Sequence, residues 1–239
     1  MAKKTKKKRT IRGGLIWLRE TGVKWASRTV MAIVGVMLLF AAVYRFVDPP
    51  LTTLMFTEKR RLGAITQDWV PMEQISPHLA RAVVAAEDAN FCLHWGFDIN
   101  AIRDAARNGA ERGASTVTQQ VVKNVYLWPA RSWFRKALEA LITPVVELVW
   151  PKRRVLEVYL NVAEFGEGVF GASAAARKYF KVQASELTLQ QAALLAAVLP
   201  NPKARSAVAP TDFIRKRAAD IADGAETIKA DGRSGCFED

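Results

Sequence analysis

Glu87-Asp88-Ala89-Asn90-Phe91-Cys92-Leu93-His94-Trp95-Gly96-Phe97-Asp98 is the stretch from which the organisation of this chain can be worked out. Two acids end an apolar helix here, and a third acid follows a glycine turn. Upstream, Ser76-Pro77 is typical of a helix start, with serine as the N-cap and proline at the first helical position. Leu79, Val83 and Ala86 then mark one apolar stripe at helical spacing. The spacing predicts a helix that ends at the first acid.

Glu87 lies beside that apolar stripe. A carboxylate at such an edge is partly removed from water, which raises its pKa and makes it a better proton acceptor near neutral pH. A solvated helix end is the alternative that the residues alone leave open.

The basic charge of the chain is concentrated at its start. Residues 1–28 hold ten lysines and arginines against one glutamate, a net charge of +9 out of +12 for all 239 residues. A strongly basic domain would indicate nucleic acid, but here the excess precedes an apolar run. We therefore expect a membrane as partner and no nucleic acid.

The apolar run extends from Trp25 to Val47 if Arg28 and Arg45 reach the two interfaces. About 23 residues give roughly 34 Å of helix, against a hydrocarbon core of about 30 Å. A cleavable signal peptide is the rival, but no clean A-x-A site follows the run. The pattern favours an uncleaved anchor, with the basic residues in the cytoplasm and everything after Arg45 exported.

Helical periodicity dominates the rest of the chain, and strand-like alternation is scarce. The predicted fold class is mainly α. Apart from the helix that begins at Ser76-Pro77, the helices predicted are one after a cap at Asn100, Val117 to Asn124 after a cap at Thr116, Ser132 to Val149 with a kink at Pro144, Arg154 to Asn161, Thr188 to Leu199, and Asp212 to Ala222.

The two cysteines, Cys92 and Cys236, are far apart in sequence, and Cys236 lies in a stretch containing glycine and serine. Pairing in an oxidising compartment is left open, but we expect no disulfide, with Cys92 a small buried apolar residue. Metal-ligand spacing of cysteine or histidine is absent.

Two further patterns allow a binding or a purely structural interpretation. Arg131, Arg135 and Glu139 are spaced four apart, so on a helix they line one face, either as a phosphate-binding face or as a surface ion-pair ladder. The loop Gly113 to Thr118 is either an anion site at a helix N-terminus or an ordinary capped turn. The G-x-G-x-x-G match at Gly166 to Gly171 is rejected as a nucleotide motif, because it follows a predicted helix and not a strand.

Four motifs in order resemble those of the peptidoglycan glycosyltransferases, over roughly Gln74 to Pro202. They are E-D-x-x-F-x-x-H-x-G-F-D at 87–98, Gly113-Ala114-Ser115-Thr116-Val117-Thr118-Gln119-Gln120 with Lys123-Asn124, R-K-x-x-E at 135–139, and Val155-Leu156-Glu157-Val158-Tyr159-Leu160-Asn161. The resemblance implies a lysozyme-like helical fold and an enzyme that polymerises lipid II by inverting transfer, releasing a polyprenyl diphosphate.

The resemblance also implies residue roles. Glu87 would be the catalytic base, and Glu139 the second functional carboxylate. The residues it implies for substrate binding are Asp88, Phe91, His94, Gly113, Ser115, Thr116, Gln119, Gln120, Lys123, Asn124, Arg131 and Arg135. Glu157 is interpreted as structural or substrate-lining. Whether a divalent cation such as Mg²⁺ or Mn²⁺ assists at the diphosphate is left open.

The expected organisation follows from these patterns together. It consists of a basic cytoplasmic tail (1–28), a transmembrane anchor (29–47), a membrane-proximal linker (48–70), a glycosyltransferase domain (71–223) and a flexible C-terminal tail (224–239). The catalytic domain would face the periplasm from a single-pass anchor in the bacterial inner membrane. Lipid II, the growing glycan chain and membrane lipid are the expected partners, with cell-wall synthesis or division proteins as further candidates.

Two alternatives remain at this point. A lysozyme-like or lytic glycan-cleaving enzyme would also use a helical domain with a catalytic glutamate, but it has little use for the cationic face of Lys123, Arg131 and Arg135. An anchored scaffold without catalysis would make the same charges surface ladders. No S-x-x-K occurs in the sequence, so we expect no penicillin-binding transpeptidase domain.

Overall fold

The computed structural model describes residues 3–107, 115–130 and 132–238, with only the backbone described for residues 3–21 and residue 26. By its contacts the chain divides into two units, Met1–Val43 and Tyr44–Asp239.

The described elements are mainly helical, as the sequence predicts. The helices are α1 Lys3–Phe46, α2 Thr53–Leu62, α3 Pro77–Glu87, α4 Ile99–Arg107, α5 Val117–Tyr126, α6 Trp133–Val149, α7 Lys152–Val162, α8 Ala172–Phe180, α9 Leu189–Val198, α10 Asp212–Ala230 and α11 Gly235–Glu238. The strands are β1 Thr66–Gln67, β2 Glu164–Gly166 and β3 Val169–Phe170. The prediction of a mainly α fold is confirmed.

Most of the apolar part of α1 lies in the first unit, which ends at Val43. Gly22–Phe46 is a span of 25 residues containing an 18-residue window with a mean hydropathy of 2.0, long and apolar enough to cross a membrane by length and composition. At 1.5 Å per residue it is roughly 37 Å long, against about 30 Å of hydrocarbon. Its large apolar side chains, such as Met31 and Leu39, are not buried by other residues of the protein. They would have to be covered by something other than the folded chain.

Two groups of packed helices build the second unit. Helix α3 contacts α9 and α10, and α5 contacts α6 and α7. Helix α9 is apolar on nearly every side, and Leu195 is fully buried, as is Leu79 of α3. A helix without a polar face belongs in the interior. Helix α3 therefore ends against buried neighbours, which places its terminal residue at the edge of the core.

Local capping signals fix where several helices begin. Capping boxes join Thr116 to Gln119 before α5, and Thr188 to Gln191 before α9, so in each pair the hydroxyl and the amide satisfy each other's backbone N–H group. These are the helix starts that the sequence predicts.

A three-stranded sheet in the order β1-β3-β2 combines β1, which follows α2 in the chain, with β2 and β3, which lie between α7 and α8. Strand β1 runs parallel to β3, whereas β2 and β3 form an antiparallel hairpin. Gly171 after β3 has φ +84°, and a Cβ there would lie 2.9 Å from the carbonyl oxygen of Asn161. Since helix α7 precedes these glycines, they serve close packing of a hairpin, and the rejection of a dinucleotide motif agrees with the fold.

The segment 48–70 is more ordered than the linker expected there, because it contains α2 and β1. The Thr52 hydroxyl caps α2 by accepting from the Met55 N–H at 3.2 Å. Met55 and Glu58 are the buried residues of this helix, and Glu58 pairs with Arg61 and Lys203. One apolar side chain and one paired acid leave no apolar periodicity, so the helix was not visible in the pattern.

The C-terminal segment also differs from the expectation in two respects. Helix α10 continues to Ala230, and Cys92 forms a disulfide with Cys236 although 144 residues separate them. Phe237 is fully buried and packs on the Phe91 ring, with 6.3 Å between ring centroids. The predictions of unpaired cysteines and of a flexible tail are wrong. The buried contact between Phe91 and Phe237 holds α11 against the first motif, which brings the two cysteines together.

Candidate active site

Glu87 is the last residue of α3 and is partly buried. Its Oε2 accepts a hydrogen bond from the Gln120 side-chain amide of α5 at 2.9 Å. Burial raises the pKa of the Glu87 carboxyl; the Gln120 hydrogen bond and the charges of Arg217 and Lys123 oppose that increase, and the charge of Asp88 adds to it. A carboxyl group with a raised pKa is suited to accept a proton near neutral pH.

Lys123 faces the same region from the next turn of α5. Burial is the main cause that lowers the pKa of its ammonium group, and the nearby Arg135 and Lys136 lower it further. The carboxylates of Glu139 and Glu87 act in the opposite direction. Among the described residues no carboxylate forms an ion pair with Lys123, so its charge is available to a ligand.

Asp88 supports the site from behind. Its side chain is buried, and its Oδ2 accepts from the Val117 N–H at the start of α5, at 2.9 Å. Its Oδ1 lies 2.8 Å from His94 Nε2. Both carboxylate oxygens of Asp88 are thus engaged within the protein, so it joins the end of α3 to the start of α5 and to the first-motif loop.

Phe91 and Gly96 of the first motif pack against the interior, whereas Leu93 and Trp95 are exposed. Phe91 is buried, and the ammonium nitrogen of Lys152 lies 4.4 Å from the centroid of its ring. Gly96 has φ +78°, and a Cβ there would lie 2.6 Å from Cγ2 of Thr143 in α6. Only glycine allows the loop to approach α6 this closely.

Asp98 caps α4, where the sequence predicted Asn100 as the cap. Asp98 Oδ1 accepts from the Ala101 N–H at 2.9 Å, and Oδ2 accepts from the Asn90 side chain at 2.8 Å. The Ala101 hydrogen bond is the main cause that lowers the pKa of Asp98. The cap lies two residues earlier than predicted, since the acid at the end of the motif takes that position.

Thr116 and Gln119 are occupied by the cap of α5. The Thr116 hydroxyl donates to the Gly96 carbonyl oxygen at 2.7 Å, and Gln119 Oε1 accepts from the Thr116 N–H at 3.1 Å. Gln120, one residue further on, turns its amide to Glu87. The second motif therefore divides into residues that hold the helix start and a residue that faces the candidate base.

Glu139 of α6 is buried and lies between two cations. Its Oε2 accepts from Arg135 Nη1 at 3.0 Å, and its Oε1 is bonded to the ammonium group of Lys136. Lys136 also donates to the Ser115 hydroxyl at 3.2 Å. The Arg135 and Glu139 side chains are only 11% and 3% exposed, which excludes an exposed surface ladder for this pair.

These side chains surround a cleft of about 380 Å³. Its lining residues are Ser115, Gln119, Gln120, Lys123, Pro129, Arg135, Lys136 and Glu139. Three cations face one carboxylate here, so the lining has a formal charge of +2. Such a cleft favours an anionic ligand, and the planar guanidinium of Arg135 suits phosphate oxygens.

The predicted site residues are not all in this cleft. His94 lines a second cleft of about 350 Å³ with Asn90 and Asp98, and Asn124 is buried on α5. Gly113 and Arg131, both predicted to bind substrate, lie outside the described residues.

Three residues of the site were missed by reasoning from the sequence. Lys136 belongs to the third motif. It is three residues from Glu139, so it is not part of the four-residue spacing that links Arg135 to Glu139. Tyr159 belongs to the fourth motif, but the sequence assigned it no role. Arg217 of α10 lies outside the four motifs, and only the folded chain brings its charge near Glu87.

The described residues offer little to a metal ion. No group of three or more His, Cys, Asp or Glu side chains within residues 3–107, 115–130 and 132–238 could hold one. Glu139, the single carboxylate among the lining residues of the cleft, already pairs through both oxygens with Arg135 and Lys136. The position of Glu139 is therefore better suited to orienting Arg135 and Lys136 than to binding a divalent ion directly.

The family model and the similar proteins all describe a transglycosylase. Residues 56–226 match the family model described as Transglycosylase. The chain is 57% identical over 237 residues to the biosynthetic peptidoglycan transglycosylase of Jannaschia sp. (strain CCS1), covering 99% of both chains. It is 48% identical over 222 residues to the protein of that description from Rhodospirillum centenum, covering 89% of this chain and 95% of the relative. A third such relative, from Pectobacterium carotovorum, is 48% identical over 221 residues, covering 86% of this chain and 88% of the relative.

Proposed function

Because the chain belongs to the transglycosylase family and is a peptidoglycan glycosyltransferase, we propose that it polymerises lipid II with Glu87 as the general base. Family membership decides between the synthesis of glycan strands and their cleavage. The single observation that carries the residue assignment is the cationic cleft, whose lining residue Gln120 donates directly to Glu87.

The proposed step transfers one proton and exchanges one bond at carbon. The 4-hydroxyl of the acceptor's N-acetylglucosamine gives its proton to the Glu87 carboxylate as its oxygen attacks C1 of the donor's N-acetylmuramic acid. A new C1–O bond forms while the bond from C1 to the diphosphate oxygen breaks, and the electron pair leaves on the diphosphate. Attack opposite the leaving group inverts the configuration at C1.

In this proposal the cations that line the cleft stabilise the leaving diphosphate. Charge builds up on the diphosphate in the transition state, and fixed cations aimed at developing charge are among the strongest contributions to catalysis. We assign this role to Lys123, Arg135 and Lys136, with Ser115 as a hydroxyl partner. Glu139 holds Arg135 and Lys136 in place through its two oxygens.

The proposed function is tested with the purified full chain and lipid II. Incubation should convert the lipid-linked monomer into long glycan strands, detected as high-mass products by gel electrophoresis, together with release of polyprenyl diphosphate. Pre-formed glycan strands in a parallel reaction should keep their length. Shortened strands without new polymer would contradict polymerisation and identify a glycan-cleaving enzyme.

We also propose that α1 is a single-pass anchor in the bacterial inner membrane, with residues 1–28 in the cytoplasm and the unit Tyr44–Asp239 exported. Two observations support this orientation. The basic residues precede the apolar span, as the positive-inside rule requires of a cytoplasmic end. The Cys92–Cys236 disulfide lies in the second unit, and disulfides persist mainly in oxidising compartments outside the cytoplasm.

The thiol state of these cysteines in cells reports the orientation. After acid quenching, a mass-shifting maleimide should label neither cysteine, and it should label both once the sample has been reduced. Cys92→Ser provides the positive control, because it leaves Cys236 without a partner and open to labelling before reduction. Free thiols in the unaltered chain would contradict an oxidised, exported domain.

A further inference from the structure

A chain of two hydrogen bonds leads from the interior to Glu87. The Tyr159 hydroxyl of α7 donates to Gln120 Oε1 at 3.2 Å. The Nε2 of the same amide then donates to Glu87 Oε2 at 2.9 Å. Tyr159 is only 2% exposed, and among the described residues the hydrogen bond of its hydroxyl goes to Gln120.

We propose that Tyr159 is a positioning residue, which fixes the Gln120 amide in the orientation that donates to the Glu87 carboxylate. The inference rests on the proposed role of Glu87 as the general base and deepens it. It gives a specific task to a residue of the fourth motif that otherwise looks like part of the core.

The two ends of the Gln120 side-chain amide differ in their hydrogen bonding. An amide has an oxygen that only accepts and a nitrogen that only donates, whereas an ionised carboxylate only accepts. The nitrogen of Gln120 must therefore face Glu87 when Glu87 is ready to take a proton. A rotation of the amide by half a turn would bring two acceptors together.

Tyr159 makes that rotation unfavourable. Its buried hydroxyl proton needs an acceptor, and Gln120 Oε1 supplies one. Burial raises the pKa of the Tyr159 phenol well above its usual value, so the hydroxyl stays protonated over the working pH range and remains a donor. The Gln120 nitrogen is thereby kept towards Glu87 before substrate arrives.

The other charged groups around Glu87 affect its pKa independently of the hydrogen bonds through Gln120. Lys123 on α5 and Arg217 on α10 oppose its raised pKa through their charges, and the adjacent Asp88 adds to the increase. Replacement of Tyr159 by phenylalanine changes none of these charges and keeps the ring that fills the interior. The variant therefore isolates the orientation of Gln120.

Tyr159→Phe is expected to move the acid limb of the pH profile of kcat/KM with lipid II upward by about half a unit, since a weaker donor favours the protonated carboxyl. The rate on the acid side should fall about threefold, and rates at high pH should approach those of the unaltered enzyme. A purely structural role would lower the rate by the same factor at every pH and leave the midpoint where it was. An unmoved midpoint would thus overturn the proposal.

Matched variants separate the possible failures. Tyr126→Phe removes another buried hydroxyl, one without a hydrogen-bond partner among the described residues, and should leave the midpoint unchanged. Gln120→Met should shift the limb at least as far as Tyr159→Phe, and the double variant should shift it no further than Gln120→Met alone. If Glu87→Gln is inactive while Tyr159→Phe leaves the limb in place, only the positioning role fails. If Glu87→Gln remains active, the proposed base itself is wrong.

Discussion

Glu87→Gln is expected to lower the rate of lipid II polymerisation by about 10²–10⁴-fold, the usual effect of removing a general base. Glutamine keeps the shape of the side chain but cannot accept the proton of the attacking hydroxyl. Binding of lipid II should survive, because the cations of the cleft are unchanged. Single-turnover rates together with a binding titration on the same preparation measure the two quantities separately.

The same variant should not be less stable than the unaltered protein at neutral pH. Burial raises the pKa of Glu87, so the folded protein binds this proton more tightly than the unfolded chain does. The carboxyl group then contributes to stability at low pH, and that contribution is lost as the pH rises through the raised pKa. A neutral amide avoids the cost of a partly buried charge, and chemical denaturation at pH 7 tests this. A large loss of stability would mean that Glu87 is mainly structural.

Asp88→Asn is the matched control for an acid one residue further on. Both oxygens of Asp88 accept hydrogen bonds inside the protein, from the Val117 N–H and from His94. An amide nitrogen towards the Val117 N–H would face a donor, and one towards His94 would require that ring nitrogen to become an acceptor. This variant should therefore lose stability, and its loss of activity should follow its loss of folded protein. If Asp88→Asn abolishes turnover in a fully folded protein while Glu87→Gln does not, the base is Asp88.

Local signals account for what the sequence predicted well. Pro77 at the first helical position and the boxes at Thr116 and Thr188 act on the backbone within four residues, so their effect can be worked out from neighbours alone. These signals mark the starts of α3, α5 and α9, whereas the Ser76 hydroxyl donates to the distant Leu187 carbonyl oxygen and does not cap α3. The raised pKa expected at the edge of an apolar stripe also agrees with the folded environment.

Contacts between distant parts of the chain account for what was missed. Cys92 pairs with Cys236 across 144 residues, and no pattern near either cysteine predicts the partner. Arg217 acts on Glu87 only because α10 packs on α3. Tyr159 is indistinguishable in sequence from any core aromatic residue, since its function depends on where one hydroxyl points after α5 and α7 have packed.

Lys123 rather than Arg135 is the residue with which to test the cationic cleft. Arg135→Ala would remove one partner of the buried Glu139, and breaking a buried ion pair on one side costs about 3–5 kcal/mol of stability. A loss of activity could then not be separated from a loss of fold. Lys123 has no ion-pair partner among the described residues, and burial already lowers the pKa of its ammonium group. Removing its charge should therefore not destabilise the protein.

Lys123→Met is expected to reduce kcat/KM with lipid II by about 10²–10³-fold, comparable to the loss of one preorganised group that stabilises developing negative charge. Methionine keeps most of the apolar stem and removes only the cation, so the melting temperature should be unchanged or slightly higher. Lys216→Met is the matched control, because it removes the same charge from an exposed position on α10 and should leave the rate unaltered. Equal losses in both variants would point to a general effect of net charge at the membrane. A full rate in Lys123→Met would remove this lysine from the diphosphate site and leave the leaving group to Arg135 and Lys136.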